Sequence, residues 1–172
     1  MKSKLKLLPV FGVSMVLTAC ANYTPNSALS SMSATTSKTG VATQQVCQSI
    51  TTEQVAGLFD RWNDSLKTLN PDNVAANYAE KSILLPTVSN KARFTKDEKK
   101  DYFEHFLENK PVGKIDQRQV FLGCNSAVDA GTYTFTFGKN GAVVPARYTY
   151  TYAWDGKNWL ITSHHSSGMP EK

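Results

Sequence analysis

The sequence predicts an α+β fold, with three N-terminal helices packed on one face of a curved antiparallel sheet. Three observations carry the prediction. Two capping-box signatures in the first half each precede apolar residues at helical spacing. From Gln117 onward the chain is a series of alternating strands. Residues 146–154 and 159–165 flank an Asp155-Gly156 turn and read as a terminal hairpin.

The first residues stand apart from that fold. Lys2, Lys4 and Lys6 precede an apolar run over residues 7–17, too short to cross a bilayer, so residues 1–19 read as a removed signal. The run ends in Leu17-Thr18-Ala19-Cys20, which is similar to a bacterial lipobox with Cys20 as the lipid-carrying first mature residue. The rival is an ordinary signal peptide with Cys20 incidental. Ala21 follows rather than Asp, which by resemblance to bacterial sorting signals implies an envelope protein held at the outer membrane, facing the periplasm. Contact with the membrane is then through the anchor only. Residues 20–46 are rich in Ser, Thr, Ala and Asn and read as a flexible tether, leaving 47–172 as the domain.

Charge excludes one class of function. Removing the three leader lysines from a formal charge of +5 leaves +2. No basic cluster with interleaved aromatics remains, so nucleic-acid binding has no support. With Cys20 assigned, Cys47 and Cys124 are an even pair in an oxidising compartment, which predicts a disulfide from the segment before the first helix to a mid-sheet strand. The alternative is two buried free thiols.

The elements follow in order. Thr51 and Gln54 open the first helix, with Val55, Leu58, Phe59, Trp62 and Leu66 on its apolar face. Asn70-Pro71 opens a short second helix, with Val74, Ala75 and Tyr78 on its apolar side. Residues 82–86 read as a short buried strand and 87–92 as a polar loop. Thr95 and Glu98 open the third helix, with Tyr102, Phe103, Phe106 and Leu107 inward and Lys96, Lys99, Lys100 and Glu104 on a solvated face. Residues 117–124 and 131–137 alternate as strands, and Asn140-Gly141 is a hairpin turn. In the last hairpin Tyr148, Tyr150, Tyr152 and Trp154 face one way, and Arg147, Thr149, Thr151 and Ala153 the other.

The ending Trp154, Gly156, Lys157, Trp159, His164, His165, Ser166, Ser167 and Pro170 resembles the close of the association domain of calcium/calmodulin-dependent protein kinase II. Tyr102-Phe103-Glu104 and Lys110-Pro111-Val112 extend the resemblance over residues 50–170. It implies the cone-shaped fold of the nuclear-transport-factor-2-like (NTF2-like) and SnoaL-like superfamily, which hosts enzymes, binders and assembly modules alike. It also implies a cavity lined by arginines beside a histidine-bearing strand, and association through the sheet as a homodimer or larger ring.

Arg61, Arg93, Arg147, Tyr78 and either His164 or His165 are the candidate ligand-binding residues, for a small anionic or polar ligand. Arg147 has two readings: a buried guanidinium gripping a carboxylate, or an arginine paired with Asp129 or Glu104 or facing water. Tyr148, Tyr150 and Tyr152 are candidates for an interface between copies, or else for the helix-facing core. His164 and His165 are adjacent on a strand and face opposite ways, so they cannot share a metal, and neither a metal nor a cofactor is expected. No acid–base pair is legible, which favours binding and self-association. The alternative is a small isomerase or dehydratase using the same cavity.

Overall fold

The computed structural model describes residues 46–171. The leader over 1–19, the lipidation site Cys20 and all but the last residue of the 20–46 tether lie outside the described residues. The elements are α1 (Thr52–Lys67), α2 (Pro71–Ala75), β1 (Tyr78–Leu85), α3 (Lys96–Leu107), β2 (Pro111–Gly123), β3 (Ser126–Phe137), β4 (Val143–Trp154) and β5 (Trp159–Gly168). Both capping boxes form, Thr51 with Gln54 and Thr95 with Glu98, each side chain satisfying a backbone N–H of the other. The hairpin turns also form where the dipeptides place them, with Gly141 at φ 73° and Gly156 at φ 100°.

The sheet departs from expectation. Its strand order is β1-β5-β4-β3-β2, and β1 runs parallel to β5 while the other pairs are antiparallel. The sheet is therefore mixed. It is also open, with β1 and β2 as its two edges, so the closed, strongly curled cone does not form. Only α1 and α2 precede the first strand, because β1 starts at Tyr78 and is followed by α3. The reason is connectivity. Parallel neighbours need a long crossover, and here α3 and the β2–β4 meander supply it. Between Tyr78 and Ile83 the β1 register jumps against β5, from Ile161 to Ser163, so β1 bulges.

All three helices feed one core with the sheet. Trp62 of α1 is at its centre, its ring 6.3 Å from those of Phe103 and Phe135 and 5.7 Å from Tyr150. The tyrosine row belongs to this core. Tyr148, Tyr150 and Tyr152 are 3, 0 and 1% exposed, so they are not on a surface that another copy could reach. Their alternate neighbours, Arg147 and the threonines, take the uncovered face. Asn63 pins α1 to the β2 edge by accepting from the Gly113 N–H and donating to its carbonyl, both at 2.8 Å.

Cys47 and Cys124 are bridged, with their Cα atoms 4.9 Å apart. Cys124 sits in the β2–β3 turn just past Gly123, not in mid-sheet. Asn125 beside it accepts from the Gln48 N–H at 2.6 Å and donates to the Val46 carbonyl at 3.2 Å. The bridge closes a separation of 77 residues. Replacing both cysteines with serine is expected to lower unfolding free energy by about 2–4 kcal/mol, read from the urea midpoint under non-reducing conditions.

Candidate functional site

A cavity of about 350 Å³ opens between α3 and the helix-facing side of β3, β4 and β5. One end is polar. Ser166, on β5, accepts the Tyr133 O–H at 2.5 Å and shares a 2.6 Å hydrogen bond with Thr87, from the loop after β1. His164 lies two residues before Ser166 on the same face of β5 and also lines the cavity. The rest of the lining is mostly apolar, with Phe103, Phe106, Phe135, Phe137 and Val144, and also takes in Asn109 and Asn140. Among the described residues no Asp, Glu, Lys or Arg lines this space.

The hydroxyls can be counted. Three O–H groups make two links, so one proton remains uncommitted whichever way the Thr87–Ser166 bond runs. It is available to a ligand oxygen. Burial pushes the Tyr133 phenol well above its ordinary range, against the pull of the Ser166 hydrogen bond, so it stays a donor.

His164 carries a buried donor. Its ring is 4% exposed and stacks on Tyr150 at 4.1 Å. Burial, with a smaller push from His165, lowers its pKa from 6.5 to about 3, so the imidazole is neutral at physiological pH. Tyr78 O–H lies 2.7 Å from Nδ1 and has no other acceptor among the described residues, so it donates there. That fixes the ring proton on Nε2, which is buried without a protein partner. With no exposed surface of its own, this nitrogen is an unsatisfied donor of the core.

The expected arginines are elsewhere. Arg147 is exposed on the uncovered sheet face, donates to the Gly168 carbonyl at 3.3 Å, and pairs with neither Asp129 nor Glu104. Arg61 holds Asn77 at 3.0 Å and the Trp159 carbonyl at 2.7 Å on the outer side of α1. Arg93 pairs with Asp101 and lies 5.8 Å over the Tyr102 ring, outside the cavity. None of the three meets the others, so the anionic pocket expected from sequence is not assembled. His164 is the inward histidine and His165 is exposed. Tyr78 meets His164 rather than a ligand.

Two buried ionic groups were missed. Asp129 is fully buried, gripped by Arg118 Nε at 3.1 Å to each oxygen and by the Tyr148 O–H at 2.8 Å. Burial raises its pKa, and the phenol and guanidinium oppose that rise. Lys99, expected on a solvated face, is 1% exposed, and its Nζ donates to the carbonyls of Phe94 at 2.7 Å and Ser82 at 3.0 Å. Its spacing of four from Phe103 was the available signal. Among the described residues no group of three His, Cys, Asp or Glu side chains is placed to hold a metal ion.

The model of the calcium/calmodulin-dependent protein kinase II association domain matches residues 51–170. The chain belongs to this family. An association-domain protein of the same description from Xanthomonas campestris is 48% identical, covers 74% of this chain and 98% of its own, and has a TM-score of 0.66. The iota-carbonic anhydrase of a cyanobacterium, complexed with bicarbonate, is 17% identical, with 74% and 97% coverage and a TM-score of 0.65. An NTF2-like protein from Streptomyces avermitilis, named as a dehydratase, is 12% identical, with 69% and 96% coverage and a TM-score of 0.62. At such identities the last two show the fold alone. No curated protein matches. The association-domain chain thus shares its fold with NTF2-like proteins.

Proposed function

We propose that this chain is an enzyme that adds water to a small carbonyl carbon, with carbon dioxide as its first substrate. The observation that carries the reading is the polar end of the cavity: the Thr87–Ser166–Tyr133 hydroxyls hold one uncommitted proton, in a space that no Asp, Glu, Lys or Arg among the described residues lines. Donors of this kind favour negative charge developing on a carbonyl oxygen, and act more strongly where water is excluded. Two proteins with this fold are named for adding or removing water, one as a carbonic anhydrase and one as a dehydratase.

The step balances. A water oxygen bonds to carbon, the π pair of one C=O moves onto its oxygen, and the uncommitted hydroxyl holds that oxygen. The proton lost by water goes to solvent, which reaches the exposed Thr87. The bicarbonate formed is an anion in a cavity that no cation among the described residues lines, which favours its release. The test is stopped-flow carbon dioxide hydration by the full chain. A rate above buffer that scales with protein concentration is expected, and no acceleration would sink the reading.

Two further elements belong to this proposal. Cys20 lipidation would hold the enzyme in the cell envelope, supported by the leader sequence. Self-association would use the uncovered face carrying Arg147, Thr149 and Thr151 rather than the buried tyrosines. Native mass spectrometry of the full chain is expected to report a dimer or larger ring, and a monomer at micromolar concentration would remove that element.

A further inference from the structure

The cavity is much larger than its proposed substrate. Water occupies about 30 Å³ per molecule in the liquid, and carbon dioxide is a three-atom solute of comparable size. The cavity holds about 350 Å³, within the range of sites that enclose organic ligands. Beyond the hydroxyls the added space is walled by Phe103, Phe106, Phe135, Phe137 and Val144. Asn109 and Asn140 also line the cavity, but the rings predominate and favour an apolar ligand.

Charge restricts the ligand further. The lining holds no cation among the described residues, and His164 remains neutral, its charged form disfavoured by burial. A carboxylate entering this space would lose hydration without gaining a counter-ion. A neutral carbonyl would meet the uncommitted hydroxyl at its oxygen and aromatic rings along its tail.

From this we infer that the site takes uncharged carbonyl compounds, aldehydes or ketones, bearing an apolar tail of about five carbons, with the carbonyl oxygen at Ser166 and the tail along Phe106 and Phe137. The inference rests on the reading of the hydroxyl end as the carbonyl site. Hydration of such an aldehyde follows the same balance as before. Water oxygen bonds to carbon, the π pair moves to the carbonyl oxygen, that oxygen gains a proton, water loses one, and a geminal diol leaves.

Unreactive primary amides are suitable probes of binding to the full chain by titration calorimetry. From acetamide through butanamide to hexanamide, affinity is expected to rise about fourfold per methylene. Hexanamide is expected to bind at least tenfold more tightly than hexanoate at pH 7. Ala142→Leu, which adds bulk beside the rings, is expected to erase the gain with length. A flat amide series, hexanoate binding as tightly as hexanamide, or an intact gain in the Ala142→Leu chain would each overturn the inference. Carbon dioxide hydration is measured on the same sample. Hydration with a flat series overturns this inference and leaves the proposed reaction standing. A rising series without hydration supports the ligand class and overturns the reaction.

Discussion

Replacing Ser166 with alanine is expected to lower kcat for carbon dioxide hydration by about a hundred- to a thousand-fold, the usual cost of removing one oxyanion donor. Ser166 is the centre of the hydroxyl chain, between Tyr133 at 2.5 Å and Thr87 at 2.6 Å. Its removal takes away a donor and also leaves the Tyr133 phenol without its acceptor. Tyr133→Phe removes one link but keeps Ser166 and Thr87, so a smaller loss is expected. Ser167→Ala is the control. Ser167 is the next residue on β5, its side chain lies on the opposite face, and it pairs in register with Arg147. Stopped-flow rates are to be compared with thermal midpoints of the same samples. A change in kcat below threefold for Ser166→Ala, with the fold intact, removes the hydroxyl chain from the mechanism.

Acid will destabilise the chain through His164. In the folded state burial holds this imidazole at a pKa of about 3, against 6.5 when it is free. Between those values the unfolded chain binds a proton that the folded chain refuses. The stabilisation is therefore fully present above about pH 6.5 and is lost as pH falls toward 3, at about 1.4 kcal/mol per pH unit. Across the window the loss is on the order of 5 kcal/mol, a large part of a typical domain's stability of about 5–15 kcal/mol. Urea midpoints at pH 7, 5.5 and 4 measure it. His164→Gln should flatten the slope while lowering stability at pH 7. An unchanged slope in the variant would assign the acid sensitivity to carboxylates instead.

What could be read from the sequence was local. Thr51–Gln54, Thr95–Glu98, Asn140-Gly141 and Asp155-Gly156 each hold their signal within four residues, and all four form as expected. The family resemblance and the Cys47–Cys124 bridge were legible too. What was lost is set by distant residues. Alternation divides Tyr148 from Arg147 but does not say which side the helices cover. The wrong side was favoured, and the arginines were drawn into a pocket they do not enter. Thr87 and Ser166 are 79 residues apart, and no spacing rule joins them. The parallel pairing of β1 with β5 depends on where the whole β2–β4 meander returns. Lys99 was the avoidable error, since Lys99, Phe103 and Leu107 form one helical stripe of spacing four, and all three are buried.

The Cys47–Cys124 bond also decides where mechanical load enters the domain. A pull on the chain before Val46 is delivered through the bridge to the β2–β3 turn, at the Ser126 end of β3. The cavity meets β3 further along, at Tyr133, Phe135 and Phe137, and Tyr133 lies about 23 Å along the strand from Ser126. Tension from any point of attachment would therefore strain an edge hairpin and leave the Thr87–Ser166–Tyr133 hydroxyls slack. With the bond reduced, the same force would peel the segment before α1 from Asn125 and reach Phe59 and Trp62 directly.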